Sequence, residues 1–222
     1  MSLRTLRPHS WFIISLASFV IFLILSIAIQ SPGPLMSMDF AVGNFFDDTP
    51  FWKITWLHWF MYQSTRLGYE GVVITAVIVT GVITLRRSWA MLVLWVTTVG
   101  GAIIINRLIK GHFETVRPMV GHPDVLEVST GFPSGHTMLA LVAYGLLTYI
   151  ISQDARNRRL TRYLVIATVL LVGHISLTRL YLTAHYPSDV LGGIAGGLAW
   201  MAFCIGVFRW ISDRDGIRRG SE

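Results

Sequence analysis

The sequence predicts an all-α fold: a polytopic membrane protein, one domain over residues 1–222, that bundles six transmembrane helices. Three observations carry that expectation. Hydrophobic residues make up 53% of the chain and charged residues 14%, and mean hydropathy is +0.59, all displaced from soluble composition toward the membrane class. Apolar runs recur along the chain at or near the ~20 helical residues that cross a hydrocarbon core of about 30 Å. The cationic residues divide unequally between alternate loops, as topology signals do.

The first run, Trp11–Ile29, follows Arg4 and Arg7 but is long for a signal-peptide core, and "SIAIQSPGP" lacks a small-x-small cleavage site, so it is expected to span. "FWKITWLHWFMYQ", Phe51–Gln63, is rich in Trp, which favours membrane interfaces; it reads as a short helix on the outer leaflet or as a packing element. Gly71–Leu85 carries no charge but is short, and it spans if Leu67–Glu70 complete it. Trp89–Ile109, Ser134–Ile151, Tyr163–Ala184 and Asp189–Ile211 supply the remaining four spans. Cys204, the only cysteine, lies in the last of them, which excludes an internal disulfide or a cysteine-zinc site.

With six spans, one face collects Arg4, Arg7, Arg86, Arg87, Arg156, Arg158, Arg159, Arg162, Arg209, Arg214, Arg218 and Arg219, twelve of the eighteen cations. The positive-inside rule makes that face cytoplasmic, with both termini on it. The pI of 9.9 follows from these arginines, which set topology and meet anionic headgroups, so no nucleic-acid partner is expected. Lys53, Arg66, Arg107, Lys110, Arg117 and Arg179 fall on the outer face. There, "KGHFETVRP", "GFPSGHTM" and "TRLYLTAHYPSD" sit at the same end of their helices, so folding the bundle brings them together.

Gathered cations at a membrane boundary repel one another and lose hydration unless an anion neutralises them. A phosphate suits Lys110, Arg117 and Arg179, because Arg binds two oxygens through its planar fork while Lys acts as a point charge. Arg107, one turn before Lys110, reads as an interfacial residue reaching for water, and His112 and His122 as loop residues. Pro133 fits the first turn of a helix, where the backbone N–H groups of Ser134, Gly135 and His136 and the helix dipole offer an anion site. Gly135 lets an oxygen approach closely, the Ser134 hydroxyl can donate, and His136 can protonate a leaving alkoxide. His185 and Asp189 are four apart, with Pro187 starting a new helix between them. Asp189 can then accept from one ring nitrogen of His185 and leave the other nucleophilic, the logic of a base-orienting carboxylate.

The motifs Lys110-x6-Arg117-Pro118, Pro133-Ser134-Gly135-His136 and Arg179-x5-His185-x3-Asp189 together resemble the tripartite signature of the type 2 phosphatidic acid phosphatase family, over roughly residues 89–211. The resemblance implies a lipid phosphatase that needs no metal or cofactor and works through a phosphohistidine. His185 would be the nucleophile, Asp189 its orienting partner and His136 the general acid; Lys110, Arg117, Ser134, Gly135 and Arg179 would hold the phosphoryl oxygens. Thr178 stands where the family usually has Ser before the arginine, and threonine keeps the hydroxyl. The implied partners are the bilayer and a lipid phosphate: phosphatidylglycerol phosphate, phosphatidic acid, diacylglycerol pyrophosphate or undecaprenyl pyrophosphate, in a bacterial envelope. A lipid phosphotransferase and a non-catalytic phospholipid-binding or transport protein are the alternatives. The first would yield phosphorylated lipid in place of free phosphate; intact His136, His185 and Asp189 argue against the second.

Overall fold

A computed structural model describes residues 7–49, 51–113, 131–154 and 157–219. Among these residues there are eight α-helices and no strand: α1 (Pro8–Ala28), α2 (Pro34–Asp48), α3 (Thr55–Thr65), α4 (Glu70–Leu85), α5 (Trp89–His112), α6 (Gly135–Asp154), α7 (Arg158–Tyr181) and α8 (Pro187–Arg219). Six helical stretches are long and apolar enough to cross a membrane. Five of them match the expected runs to within a few residues at most ends. The sixth, Thr55–Leu85, joins α3 to α4 through a 3-10 turn at Arg66–Gly68. The Trp-rich segment therefore leads into the second span, and α3 packs on α7, where His174 Nε2 lies 2.9 Å from Ser64 Oγ.

Helices in lipid gain little from apolar burial alone, so close packing and interhelical hydrogen bonds must hold the bundle. The centre consists of α6 and α8, whose apolar windows are 56% and 61% buried; that of α1 is 22% buried, leaving Ile13, Leu16, Ile24 and Ile27 to face outward. At Gly193, a Cβ would lie 2.7 Å from the Ser134 carbonyl oxygen, so only glycine allows α8 to approach the start of α6 this closely. Ser15 Oγ donates to the Ala199 carbonyl at 2.9 Å and ties α1 to α8. Trp95, Met138, Val142, Leu146, Ile175 and Ile205 fill the interior.

Two boundaries and one further helix depart from expectation. Pro133 lies in a bend before α6 rather than in its first turn. Ser134 is the last non-helical residue: its N–H donates to the Asp189 carbonyl at 2.9 Å, and its own carbonyl accepts from Met138 N at 3.0 Å. α7 ends at Tyr181, three residues early, in a Schellman arrangement: Ala184 N donates to Arg179 O and Thr183 N to Leu180 O, both at 3.0 Å. Thr183 takes the left-handed position, φ 47°, that glycine usually fills, so the sequence lacks the usual stop signal. α2 is a further helix, opened by Gly33 and Pro34, between the first two spans.

Candidate active site

The alternating spans carry the C-terminal ends of α5 and α7 and the N-terminal ends of α6 and α8 to one end of the bundle. There α5, α6, the end of α7 and the α7–α8 loop, together with the α3–α4 stretch, line a cavity of 780 Å³ whose wall includes Lys110, Gly135, His136, Arg179 and His185. Five of the eight expected site residues thus meet in one space. Asp189 stands behind His185 and does not line the cavity; Ser134 is fully buried and does not line it either. Arg117, like His122, lies outside the described residues.

The α7–α8 loop places the histidine. The turn at Thr183 reverses the chain so that His185 N lies 3.3 Å from the Arg179 carbonyl oxygen. Two residues later, Pro187 begins α8 and Asp189 occupies the third helical position. Asp189 Oδ2 meets His185 Nδ1 at 3.2 Å and accepts from Tyr186 N at 2.9 Å. The second contact is half of a capping box, in which a side chain at the third position satisfies the N-cap amide. Asp189 therefore fixes the helix start and the imidazole with one oxygen. Both side chains are nearly excluded from solvent, at 1% for His185 and 4% for Asp189, so their attraction is little screened. With Nδ1 turned to the carboxylate, the ring presents Nε2 on its other side.

The cavity wall also carries charge. Arg179 is 2% exposed and donates from Nη1 to Thr65 Oγ1 at 3.3 Å. Arg66, Arg107 and Lys110 also line the cavity, against one carboxylate among the described lining residues, Glu70, which Arg66 already pairs at 2.8 Å. The surplus is cationic, and an anion is what the space attracts. Arg107, read as an interfacial residue reaching for water, is exposed and also borders this wall. Val72, Val73, Ile103 and Leu139 give the lining an apolar part beside the polar Thr65 and Asn106 and the rings of Tyr62 and Tyr69, a mixture that suits a ligand with a charged head and a hydrocarbon body. Among the described residues, no three His, Cys, Asp or Glu side chains group as metal ligands.

The sequence reading passes over Thr65, Asn106 and Asp39. Asn106, buried in α5 one turn before Lys110, donates to Met138 Sδ at 3.5 Å, and its Oδ1 would lie 3.1 Å from a Cβ added at Gly135. A buried amide inside an apolar span is itself a functional signal. Asp39, from α2, accepts from Ser188 N at 2.9 Å. Burial pushes its carboxyl above the ordinary range; the hydrogen bonds from Ser188 oppose the rise, and the charge of Asp189 adds to it. Tyr186, between the dyad residues, is raised by burial and then by Asp39, Asp189 and Asp47.

The pattern of the PAP2 superfamily matches residues 88–213, more than half of the chain. The chain belongs to that family. It is 30% identical over 186 residues to phosphatidylglycerophosphatase B of Bacillus subtilis (strain 168), covering 81% of this chain and 87% of that one. A crystal structure of a transmembrane PAP2-type phosphatidylglycerolphosphate phosphatase from Bacillus subtilis superposes with a TM-score of 0.76 at 27% identity, over 87% of this chain and 95% of that one. Glucose-6-phosphatase catalytic subunit 1 of Haplochromis nubilus is 27% identical over 188 residues, which span 68% of this chain but 53% of the relative. This PAP2 protein is an integral membrane hydrolase, a lipid phosphatase of all-helical fold.

Proposed function

We propose that this PAP2 phosphatase hydrolyses a lipid phosphomonoester or pyrophosphate through a phosphohistidine on His185. The observation that carries the reading is the buried pair of His185 Nδ1 and Asp189 Oδ2, with His185 on the wall of a cationic cavity and Asp189 behind it. Lys110, Arg179 and the amide end of α6 at Gly135 hold the phosphoryl oxygens, joined by Ser134 and by Arg117 from the α5–α6 connection. Nε2 of His185 attacks phosphorus, the bond from phosphorus to the lipid oxygen breaks, and His136 gives that oxygen its proton. Water then attacks the phosphorus of the phosphohistidine and passes a proton to His136, and inorganic phosphate leaves. Positioning and fixed charge supply most of what phosphoryl transfer requires, and here side-chain cations provide the charge.

The apolar lining favours a lipid over a soluble sugar phosphate, and the likeness to the Bacillus enzyme favours phosphatidylglycerol phosphate among the four candidate lipids. The cation-rich ends of the spans would face the cytoplasm of a bacterial inner membrane, with the cavity on the periplasmic or exterior side.

The test incubates purified protein with phosphatidylglycerol phosphate, phosphatidic acid, diacylglycerol pyrophosphate and undecaprenyl pyrophosphate and measures released phosphate beside His185→Ala. We expect release from at least one lipid, unaffected by EDTA, and a drop of more than about 10³-fold in the variant. Full activity in His185→Ala would falsify the covalent route. Loss in EDTA with recovery in magnesium would overturn the metal-free reading, and phosphorylated lipid in place of free phosphate would make the enzyme a transferase.

A further inference from the structure

The start of α8 carries Asp189, yet its N-cap residue, Tyr186, has no side chain able to accept from the first helical amides. Asp189 reaches back to Tyr186 N, and Asp39 Oδ1 takes Ser188 N at 2.9 Å from 149 residues away in sequence. Asp39 is 7% exposed, so its carboxylate is held inside the protein for this contact. Two further contacts bring α2 onto the same loop. The Phe40 ring meets Tyr186 edge-on at 5.8 Å between centroids, and a Cβ added at Gly43 would lie 3.3 Å from the Tyr186 ring. α2 thus grips Tyr186 and Ser188, two of the three residues between His185 and Asp189. It lies before residue 88, outside the stretch matched to the PAP2 superfamily.

We propose that Asp39 is a positioning residue for the phosphatase reaction: as a cap supplied in trans along the chain, it fixes the first turn of α8 and thereby the angle at which Asp189 holds His185. This rests on the phosphohistidine reading. A helix amide that loses its acceptor inside the protein either stays unsatisfied or drags the turn toward another partner, and small displacements of a reacting group are costly in rate. Substrate binding depends on Lys110, Arg179 and the start of α6, which Asp39 does not touch. The inference therefore separates kcat from KM.

The test compares Asp39→Ala, Asp39→Leu and Asp39→Asn in full-length protein, purified in detergent, by steady-state hydrolysis of phosphatidylglycerol phosphate, with His185→Ala run alongside. Ala and Leu remove the acceptor, and kcat is expected to fall about tenfold with KM within about twofold. Asn retains an oxygen for Ser188 N, and kcat should return to within about threefold of the wild type. Wild-type kcat in a folded Ala or Leu variant overturns the inference. So does failure of Asn to rescue. Loss of the fold in both Ala and Leu with Asn intact makes Asp39 a stability residue and overturns it too. An active His185→Ala protein would remove the reading beneath it; an inactive one beside indifferent Asp39 variants removes only this inference.

Discussion

At the scale of single residues, Asp39 and Thr65 pull in different thermodynamic directions. Burial lifts the folded-state pKa of Asp39 above its unfolded value. Such a group favours the fold while protonated, and its contribution disappears as pH rises through the raised pKa. An asparagine stays neutral throughout. Asp39→Asn should therefore melt above the wild type at pH 8, and the two melting curves should converge below about pH 4, where both carboxyl states are protonated. A wild type that melts higher at pH 8 would contradict the sign. Thr65 supports instead of straining: its hydroxyl accepts from the buried Arg179 guanidinium. Thr65→Val keeps the volume and deletes the oxygen, and a hydrogen bond to a charged group contributes about 1.5–3 kcal/mol. We expect kcat/KM to fall at least about tenfold with the fold intact; unchanged kinetics would mean Arg179 is held without Thr65.

At the scale of elements, α6 and α8 must touch for Ser134 and Asp189 to share a hydrogen bond, and Gly193 is where they touch. Gly193→Ala places a methyl 2.7 Å from the Ser134 carbonyl oxygen, an overpacking that should destabilise by about 1–3 kcal/mol and reduce activity by parting the two helix starts. Gly100→Ala in α5 meets nothing within 4 Å and should stabilise by roughly 0.5–1 kcal/mol through chain entropy alone. Thermal melts of the pair in one detergent decide between them, and identical behaviour would show that Gly193 does not set the crossing. The same elements show where sequence reading ends. Lys110, His136, Arg179, His185 and Asp189 are legible because helix ends and short spacings place them locally. Thr65 and Asp39 are not, since each acquires its role from a partner 114 or 149 residues away. The end of α7 is misread by three residues because Thr183 takes a turn conformation usually marked by glycine.

At the scale of the whole molecule, fold and site follow from one device: charge repeated at alternate helix ends. Six spans that alternate in direction put Arg86, Arg87, Arg158, Arg159, Arg162, Arg209 and Arg214 at one end and the cavity with Lys110, Gly135, His136, Arg179 and His185 at the other. Long apolar runs make the spans legible, whereas α2 escapes because it is short and mixed in composition and packs on the loop at Tyr186 and Ser188. The orientation has a direct test. In a Cys204→Ala background, His112→Cys and Arg159→Cys each place one thiol at an exposed position, on opposite ends of the bundle. If the arginine-rich end is cytoplasmic, an impermeant maleimide applied to intact cells should label residue 112 and spare residue 159, and permeabilised cells should label both. The reverse pattern would invert the protein and turn the cavity toward the cytoplasm. That result would leave the His185–Asp189 chemistry untouched but require the substrate to be a phosphate on the inner leaflet.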